Sequence, residues 1–143
     1  MEGECMMIRY EHEIIVNWGE TDPFGLVYYP SIVAWFNDTE HELFRSIGYP
    51  VNEMIKNEHM AFVMGEIHFR FIGPATYGDR VKTTIQLKEL SDKTLHWDCK
   101  AMNVTTDILI AEGDATRVFV RLNDDGTLTS QSIPADIANA LTN

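Results

Sequence analysis

One stretch of this chain does most to limit what it can fold into. From Pro30 to Ile47 apolar residues return every three or four positions, at Ile32, Phe36, Leu43 and Ile47 with Val33 and Phe44 beside them. That is the 3.6-residue period of a helix with one buried face. Asp38, His41, Glu42 and Arg45 fall on the opposite face. Pro30 suits a first helical turn, where its missing N–H costs nothing. Gly48 fits the position just past the last turn, and Pro50 follows where it cannot extend the helix. The predicted helix is about 18 residues, or about 27 Å, long. No other segment carries a long amphipathic helix, so whatever covers its apolar face must be built from the rest of the chain.

The rest reads as strands. Ile8 to Trp18, rich in Ile, Val, Tyr and Trp, alternates Arg9, Glu11 and Glu13 with Tyr10, His12 and Ile14, and this first strand is expected to end at Gly19. After a short helical turn at Val51 to Asn57, Ile67, Phe69 and Phe71 alternate with Glu66, His68 and Arg70. Val81, Thr83, Ile85 and Leu87 then alternate with Lys82, Thr84, Gln86 and Lys88. Thr94 to Val104 and Ile108 to Leu122 follow, with Ser91-Asp92 and Thr106-Asp107 as turn signals. Connections this short permit antiparallel pairing and exclude parallel crossovers. Asn123-Asp124-Asp125-Gly126 reads as a turn, and Pro134 to Leu141 as a modest helical patch. Strand, long helix, then four strands in succession implies a two-layer α+β domain, one curved antiparallel sheet wrapped round a central helix.

At 143 residues the chain is sized for one domain, residues 1–143. A formal net charge of −11 opposes nonspecific binding to nucleic acid or anionic membranes. No apolar run approaches the ~20 residues of a membrane span, and the acidic start Met-Glu-Gly-Glu does not have the form of a signal peptide, so a soluble, cytoplasmic protein is expected. Cys5 and Cys99 lack CxxC spacing, which points to neither a disulfide framework nor a thiolate metal site. His41-Glu42 is followed by Arg45 where a zinc-binding HExxH motif needs His. The GxSxG elbow and the glycine-rich nucleotide loops are missing as well, so no metal and no cofactor are expected.

Chemistry concentrates in the loop ahead of the helix, Trp18-Gly-Glu-Thr-Asp-Pro-Phe-Gly-Leu-Val-Tyr-Tyr-Pro30. It places a carboxylate, Asp22, near a helix N-terminus, where backbone N–H groups lack intrahelical partners and the dipole favours negative charge. A carbonyl under attack needs both. Taken alone, Asp-Pro-x-Gly also matches a type I turn, and the residues by themselves favour an Asp that only orders its turn. Pro23 and Gly25 read as backbone devices that fix the loop and allow close approach of a ligand. Tyr28 and Tyr29 either line a pocket or belong to the core. Glu40 and Glu66 are the rival carboxylates, and Glu20 reads as a solvated acid. His68 and His96 read as structural residues.

With element order and loop on the page, the chain resembles hotdog-fold thioesterases of the 4-hydroxybenzoyl-CoA thioesterase type. Asp22-Pro-Phe-Gly25-Leu-Val27-Tyr28-Tyr29 is similar to that family's D-x-x-G-x-V-(Y/W)-(Y/F) loop. Gly73-Pro74-Ala75-Thr76-Tyr77-Gly78-Asp79 is similar to its P-A-x-x-G-D turn, and Ala111-Glu112-Gly113 to its later A-x-G strand. The resemblance implies a hotdog fold and hydrolysis of an acyl or aroyl thioester of CoA. It implies Asp22 as nucleophile or general base, and the backbone N–H of Tyr29 as the group polarising the carbonyl, with Gly25 and Tyr28 at the substrate. It also implies a homo-oligomer, dimer or tetramer, with sites between subunits. Relatives often carry a basic cluster in the turn before the penultimate strand. Here that turn, Leu90-Ser91-Asp92-Lys93, offers Lys93 alone for the CoA phosphates, with Arg70, Arg80, Lys82, Lys100, Arg117 and Arg121 elsewhere. A carrier-protein thioester and a noncatalytic acyl-CoA-binding module are the alternatives. A hotdog dehydratase would need a His paired with an acid in its own motif, and the sequence shows no such pairing around His12 or His68.

Overall fold

The long helix forms as its spacing predicts. In the computed structural model, which describes residues 7–142, α1 spans Tyr29–Ser46, 18 residues. Cys5 and the acidic start lie outside the described residues. Pro30 occupies the first turn of α1. Past its last turn Gly48 takes φ +92°, a left-handed conformation that costs glycine little. Gly48 N–H then donates to the Arg45 carbonyl (3.1 Å) and Tyr49 N–H to that of Phe44 (2.9 Å), the paired bonds of a Schellman end. Ile32, Trp35, Phe36, Thr39, Glu40, Leu43 and Phe44 are the buried face. Burying one such large apolar side chain contributes roughly 1.5–3 kcal/mol.

That face is covered by one antiparallel sheet. Its strands are β1 (Arg9–Ile15), β2 (Met60–Phe71), β3 (Arg80–Leu90), β4 (Thr94–Asn103), β5 (Ile108–Leu122) and β6 (Leu128–Ser130). The order across the sheet is β1-β3-β4-β5-β2, with β6 paired to the far end of β5. Alternation does the work: Val81, Thr83, Ile85 and Leu87 of β3 and Leu95, Trp97, Cys99 and Ala101 of β4 point inward, while Lys88, Asp98 and Lys100 stay outside. Two short helices complete the chain, α2 (Val51–Glu58) and α3 (Ala135–Thr142), the latter burying Ile137 and Leu141. This is the α+β hotdog architecture expected from the sequence. No helix among the described residues is long and apolar enough to cross a membrane.

Two boundaries differ from expectation by more than one residue, and one strand was not expected. β1 stops at Ile15 rather than running to Trp18, because Trp18–Glu20 turn into a short 3₁₀ helix. The Glu20 carboxylate accepts the Asn17 N–H at 2.7 Å, and that capping turn overrides the local apolar pattern. β2 begins at Met60, six residues before its clear alternation starts, and pairs with β5 along its length around an irregularity between Met64 and Glu66. β6 was not expected, being only three exposed residues with no periodicity to read. β1 and β2 are the edges of the sheet.

Candidate active site

The loop between β1 and α1 is clasped on two sides. On the helix side, Glu20 takes the Trp35 indole N–H on Oε2 at 2.8 Å, and its backbone carbonyl takes the Tyr28 N–H at 2.8 Å. Glu20, expected to be a solvated acid, therefore ties the loop to the first turns of α1. On the sheet side, Leu26 bridges to Thr76, and Val27 N–H donates to the Ala75 carbonyl at 2.8 Å. The segment carrying Ala75 and Thr76 is held by Asp79, whose Oδ2 accepts the Thr76 N–H (2.9 Å), the Thr76 hydroxyl (3.2 Å) and the Asn103 amide (2.8 Å). The Thr76 N–H foremost, with Asn103 and the Thr76 hydroxyl assisting against partial desolvation, holds the Asp79 carboxyl below its ordinary pKa.

Between the clasps lies the turn that carries Asp22. Asp22 N–H donates to the Leu26 carbonyl (2.8 Å) and Gly25 N–H to the Asp22 carbonyl (2.8 Å). Gly25 adopts φ +82°, which closes the turn and favours glycine there. The Asp22 side chain follows a split pattern. Oδ1 accepts the amides of Phe24 (2.9 Å) and Leu26 (3.2 Å), whereas Oδ2 receives no hydrogen bond among the described residues. The turn-ordering role read from Asp-Pro-x-Gly is thus present, and it engages one oxygen only.

The chain then enters α1. Tyr28 is the extended residue at the helix start and Tyr29 the first helical residue, whose N–H helical geometry leaves without an intrahelical acceptor. Both tyrosines are exposed, which removes them from the core. Their rings begin an aromatic series that leads inward. Tyr28 lies 5.4 Å from Tyr29, Tyr29 5.7 Å from Phe71, and Phe69, beyond Phe71, stacks on Phe36 at 4.9 Å. One residue past Tyr29, Pro30 begins a groove of about 390 Å³ between α1 and the sheet, with Phe36, Phe69 and Trp97 in its walls.

Glu40 and Arg117 stand in the same groove. Glu40 Oε1 accepts Arg117 Nε (3.0 Å) and Nη2 (2.7 Å), and Oε2 accepts the Trp97 indole N–H at 2.8 Å. Arg117 also donates to Asn37 Oδ1 at 2.9 Å and to the Phe62 carbonyl at 3.4 Å. This rival carboxylate is buried and fully engaged. Cys99 shares the groove wall, and burial foremost, with Glu40, Asp98 and Asp114 adding to it, pushes its thiol pKa up to about 12, which leaves almost no thiolate to react. Glu66 pairs with His68 at 2.9 Å, a His–acid contact not expected from the sequence, and both side chains are exposed, so His68 is not the structural residue its strand position suggested. No group of three or more metal-ligating side chains occurs among the described residues.

Gly25 closes the Asp22 turn, Tyr28 is tied by its N–H to the Glu20 carbonyl two residues before Asp22, and Tyr29 follows as the first residue of α1; Lys93 lies apart from them. Lys93 is exposed in the turn from β3 to β4, whereas the Asp22 loop packs on residues 75–76, beside the opposite end of those strands. The 10 residues of β4 separate the two ends by roughly 33 Å. Nearer the loop, Arg80 pairs with Glu13 and Arg70 with Glu112.

A family model, that of the Thioesterase-like superfamily, matches residues 16–141, a span that holds the Asp22 loop, α1 and the turn with Asp79. The chain belongs to the thioesterase-like superfamily. Solved thioesterase structures share its fold. A 1,4-dihydroxy-2-naphthoyl-CoA thioesterase from Synechocystis superposes with a TM-score of 0.83 at 18% identity, over 93% of this chain and 95% of that one. A 4-hydroxybenzoyl-CoA thioesterase from Pseudomonas sp. strain CBS-3 gives 0.81 at 20%, over 92% and 98%. A gentisyl-coenzyme A thioesterase gives 0.79 at 25%, over 90% and 98%. Among curated proteins, the 1,4-dihydroxy-2-naphthoyl-CoA hydrolase of Thermosynechococcus vestitus is 22% identical over 80 residues. That match spans 56% of this chain and 55% of the relative, about half the length of each.

Proposed function

We propose that this protein is an acyl-CoA thioesterase that hydrolyses an acyl or aroyl thioester to the free acid and CoA, with Asp22 as the reacting carboxylate. The observation that carries the reading is the division of labour on Asp22, with Oδ1 spent on holding the turn and Oδ2 open, beside the start of α1. The superfamily assignment and the named relatives support the substrate class.

A thioester is already activated, so its hydrolysis needs a nucleophile or base, a stabilised oxyanion and little more. In one form, Asp22 Oδ2 attacks the carbonyl carbon and the C–S bond breaks with CoA leaving as thiolate. Water then opens the mixed anhydride. In the other, Oδ2 takes a proton from a water that attacks the same carbon. Both forms put charge on the carbonyl oxygen, and the Tyr29 N–H at the helix start is the donor aimed at it. Gly25 and Tyr28 border the thioester, and the groove from Pro30 inward takes the acyl group.

The CoA phosphates need cations, and at this end of one chain Arg80 and Arg70 are paired with Glu13 and Glu112. Lys93 reaches an Asp22 loop only from another subunit, so the reading includes a cytoplasmic homo-oligomer, dimer or tetramer, with shared sites. The unpaired edge of β2, with Met64, Ile67 and Phe71 exposed along it, supports a second copy there, since an open edge is a hazard in a monomer. The test is thiol release by the purified protein from a panel running from acetyl- through long-chain to benzoyl- and hydroxybenzoyl-CoA. Turnover of at least one member is expected. No release from any of them would overturn the reading and favour a carrier-protein substrate or a binding role.

A further inference from the structure

We propose that Asp79 is a positioning residue for this chemistry: through Thr76 and Leu26 its carboxylate sets the aim of the Asp22 side chain. The inference rests on Asp22 being the reacting group.

A continuous series of short contacts supports it, and the series starts in the core. Asn103 is fully buried, and its Oδ1 accepts the amides of Thr105 (3.1 Å) and Thr106 (3.2 Å), which fixes the direction of its NH₂ group. That group donates to Asp79 Oδ2 at 2.8 Å, and the same oxygen takes the N–H and hydroxyl of Thr76. Thr76 bridges Leu26, and its buried neighbour Ala75 accepts the Val27 N–H. Leu26 closes the series on Asp22 twice, through its carbonyl to Asp22 N–H and through its N–H to Asp22 Oδ1. The Asp79 backbone is pinned as well, its carbonyl taking the Val16 N–H at 2.9 Å at the end of the first-strand segment.

Three donors converging on one oxygen call for a carboxylate. It has more acceptor capacity than an amide oxygen, and hydrogen bonds to a charged acceptor are roughly twice as strong as neutral ones. Without that anchor the 75–76 segment keeps its contacts to the loop and the long bond from the Asn103 amide to the neighbouring Pro74 carbonyl (3.4 Å), but Thr76 loses the carboxylate that fixes it. The expected fault is a misaimed Asp22 rather than an unfolded protein, and misplacement by about 1 Å can cost on the order of 10²-fold in rate.

The test combines Asp79→Ala, Asp79→Asn and Thr76→Val with two readouts. In Asp79→Ala, amide hydrogen exchange at Phe24 and Leu26 is expected to accelerate about tenfold while the Trp97 amide in β4 holds its wild-type rate. Its kcat for acyl-CoA hydrolysis should fall about 10–100-fold with KM changed less than about threefold. Asp79→Asn, which keeps one acceptor oxygen but loses the charge, should recover only part of both effects. Thr76→Val, which deletes only the hydroxyl donor, should move both the same way by about twofold or more, and it decides the matter if Asp79→Ala does not fold. Unchanged exchange at Phe24 and Leu26, or acceleration spread equally to Trp97 with activity tracking only the folded fraction, would overturn the proposal. If wild type releases no thiol from any acyl-CoA, the thioesterase reading fails on its own, and the exchange rates still report whether Asp79 holds the Asp22 turn.

Discussion

Asp22, on the loop that enters α1, and Glu40, about three turns into that helix, are two carboxylates with opposite surroundings. Asp22 sits on the entering loop, half-buried, with Oδ1 taking two amides of its own turn and Oδ2 unengaged among the described residues. Glu40 is 7% exposed, and both its oxygens are taken, by Arg117 and by the Trp97 indole. A carboxylate in Glu40's position cannot act as nucleophile or base without abandoning a buried arginine. Burial in the wall of a groove is therefore no mark of a reactive acid. The half-buried, partly satisfied group is the better candidate because its geometry is fixed by one oxygen while the other stays open.

The contrast can be broken most forcibly at Glu40. Glu40→Ala leaves Arg117 as an uncompensated buried charge and should destabilise the fold by about 3–5 kcal/mol, read as a drop in the urea midpoint. A loss under 1 kcal/mol would mean that the pair is not buried as described. On the Asp22 side, Trp35→Phe removes the indole donor to Glu20 and should cost about 1–3 kcal/mol. If thermal unfolding of that variant matches wild type, the helix-side clasp is not contributing.

A smaller, pH-dependent effect belongs to Asp79. Its folded pKa is depressed, so its contribution is present in full above the unfolded carboxylate value of about 3.9 and is lost as pH falls through the lower folded value. The difference in urea midpoint between wild type and Asp79→Asn should be constant above pH 5 and shrink on acidification below about pH 4. A gap that widens there would reverse the assigned sign. Smallest of all, Cys99 should be silent. In a Cys5→Ser background a thiol reagent at pH 8 should label nothing in the native protein and one thiol after unfolding, since a pKa of about 12 leaves almost no thiolate.

Local patterns made half of this comparison readable in the sequence. The period of α1, its Pro30 start and its Gly48 end are recorded within 20 residues of chain, and the alternation of β3 appears residue for residue. The Asp22 turn was legible for the same reason, since Asp-Pro-x-Gly encodes its own hydrogen bonds. Glu40 was not. Its partners Trp97 and Arg117 lie 57 and 77 positions away, and only the closed sheet brings them to the helix. Glu20 misled for the opposite reason: an acid in a short loop looks solvated until Trp35, 15 residues on, turns its indole toward it. Interactions made across the two layers leave no periodic trace, so the sequence could name the loop acid and could not dismiss its rival.

The most direct test sets the two carboxylates side by side. Thiol release from the best acyl-CoA substrate should be measured for wild type, Asp22→Asn and Glu40→Gln at a temperature where all three are folded. The account predicts that Asp22→Asn loses about 10²–10⁴-fold in kcat while still binding the thioester, and that Glu40→Gln stays within about tenfold of wild type. Near-normal turnover by Asp22→Asn, with collapse in Glu40→Gln, would contradict it.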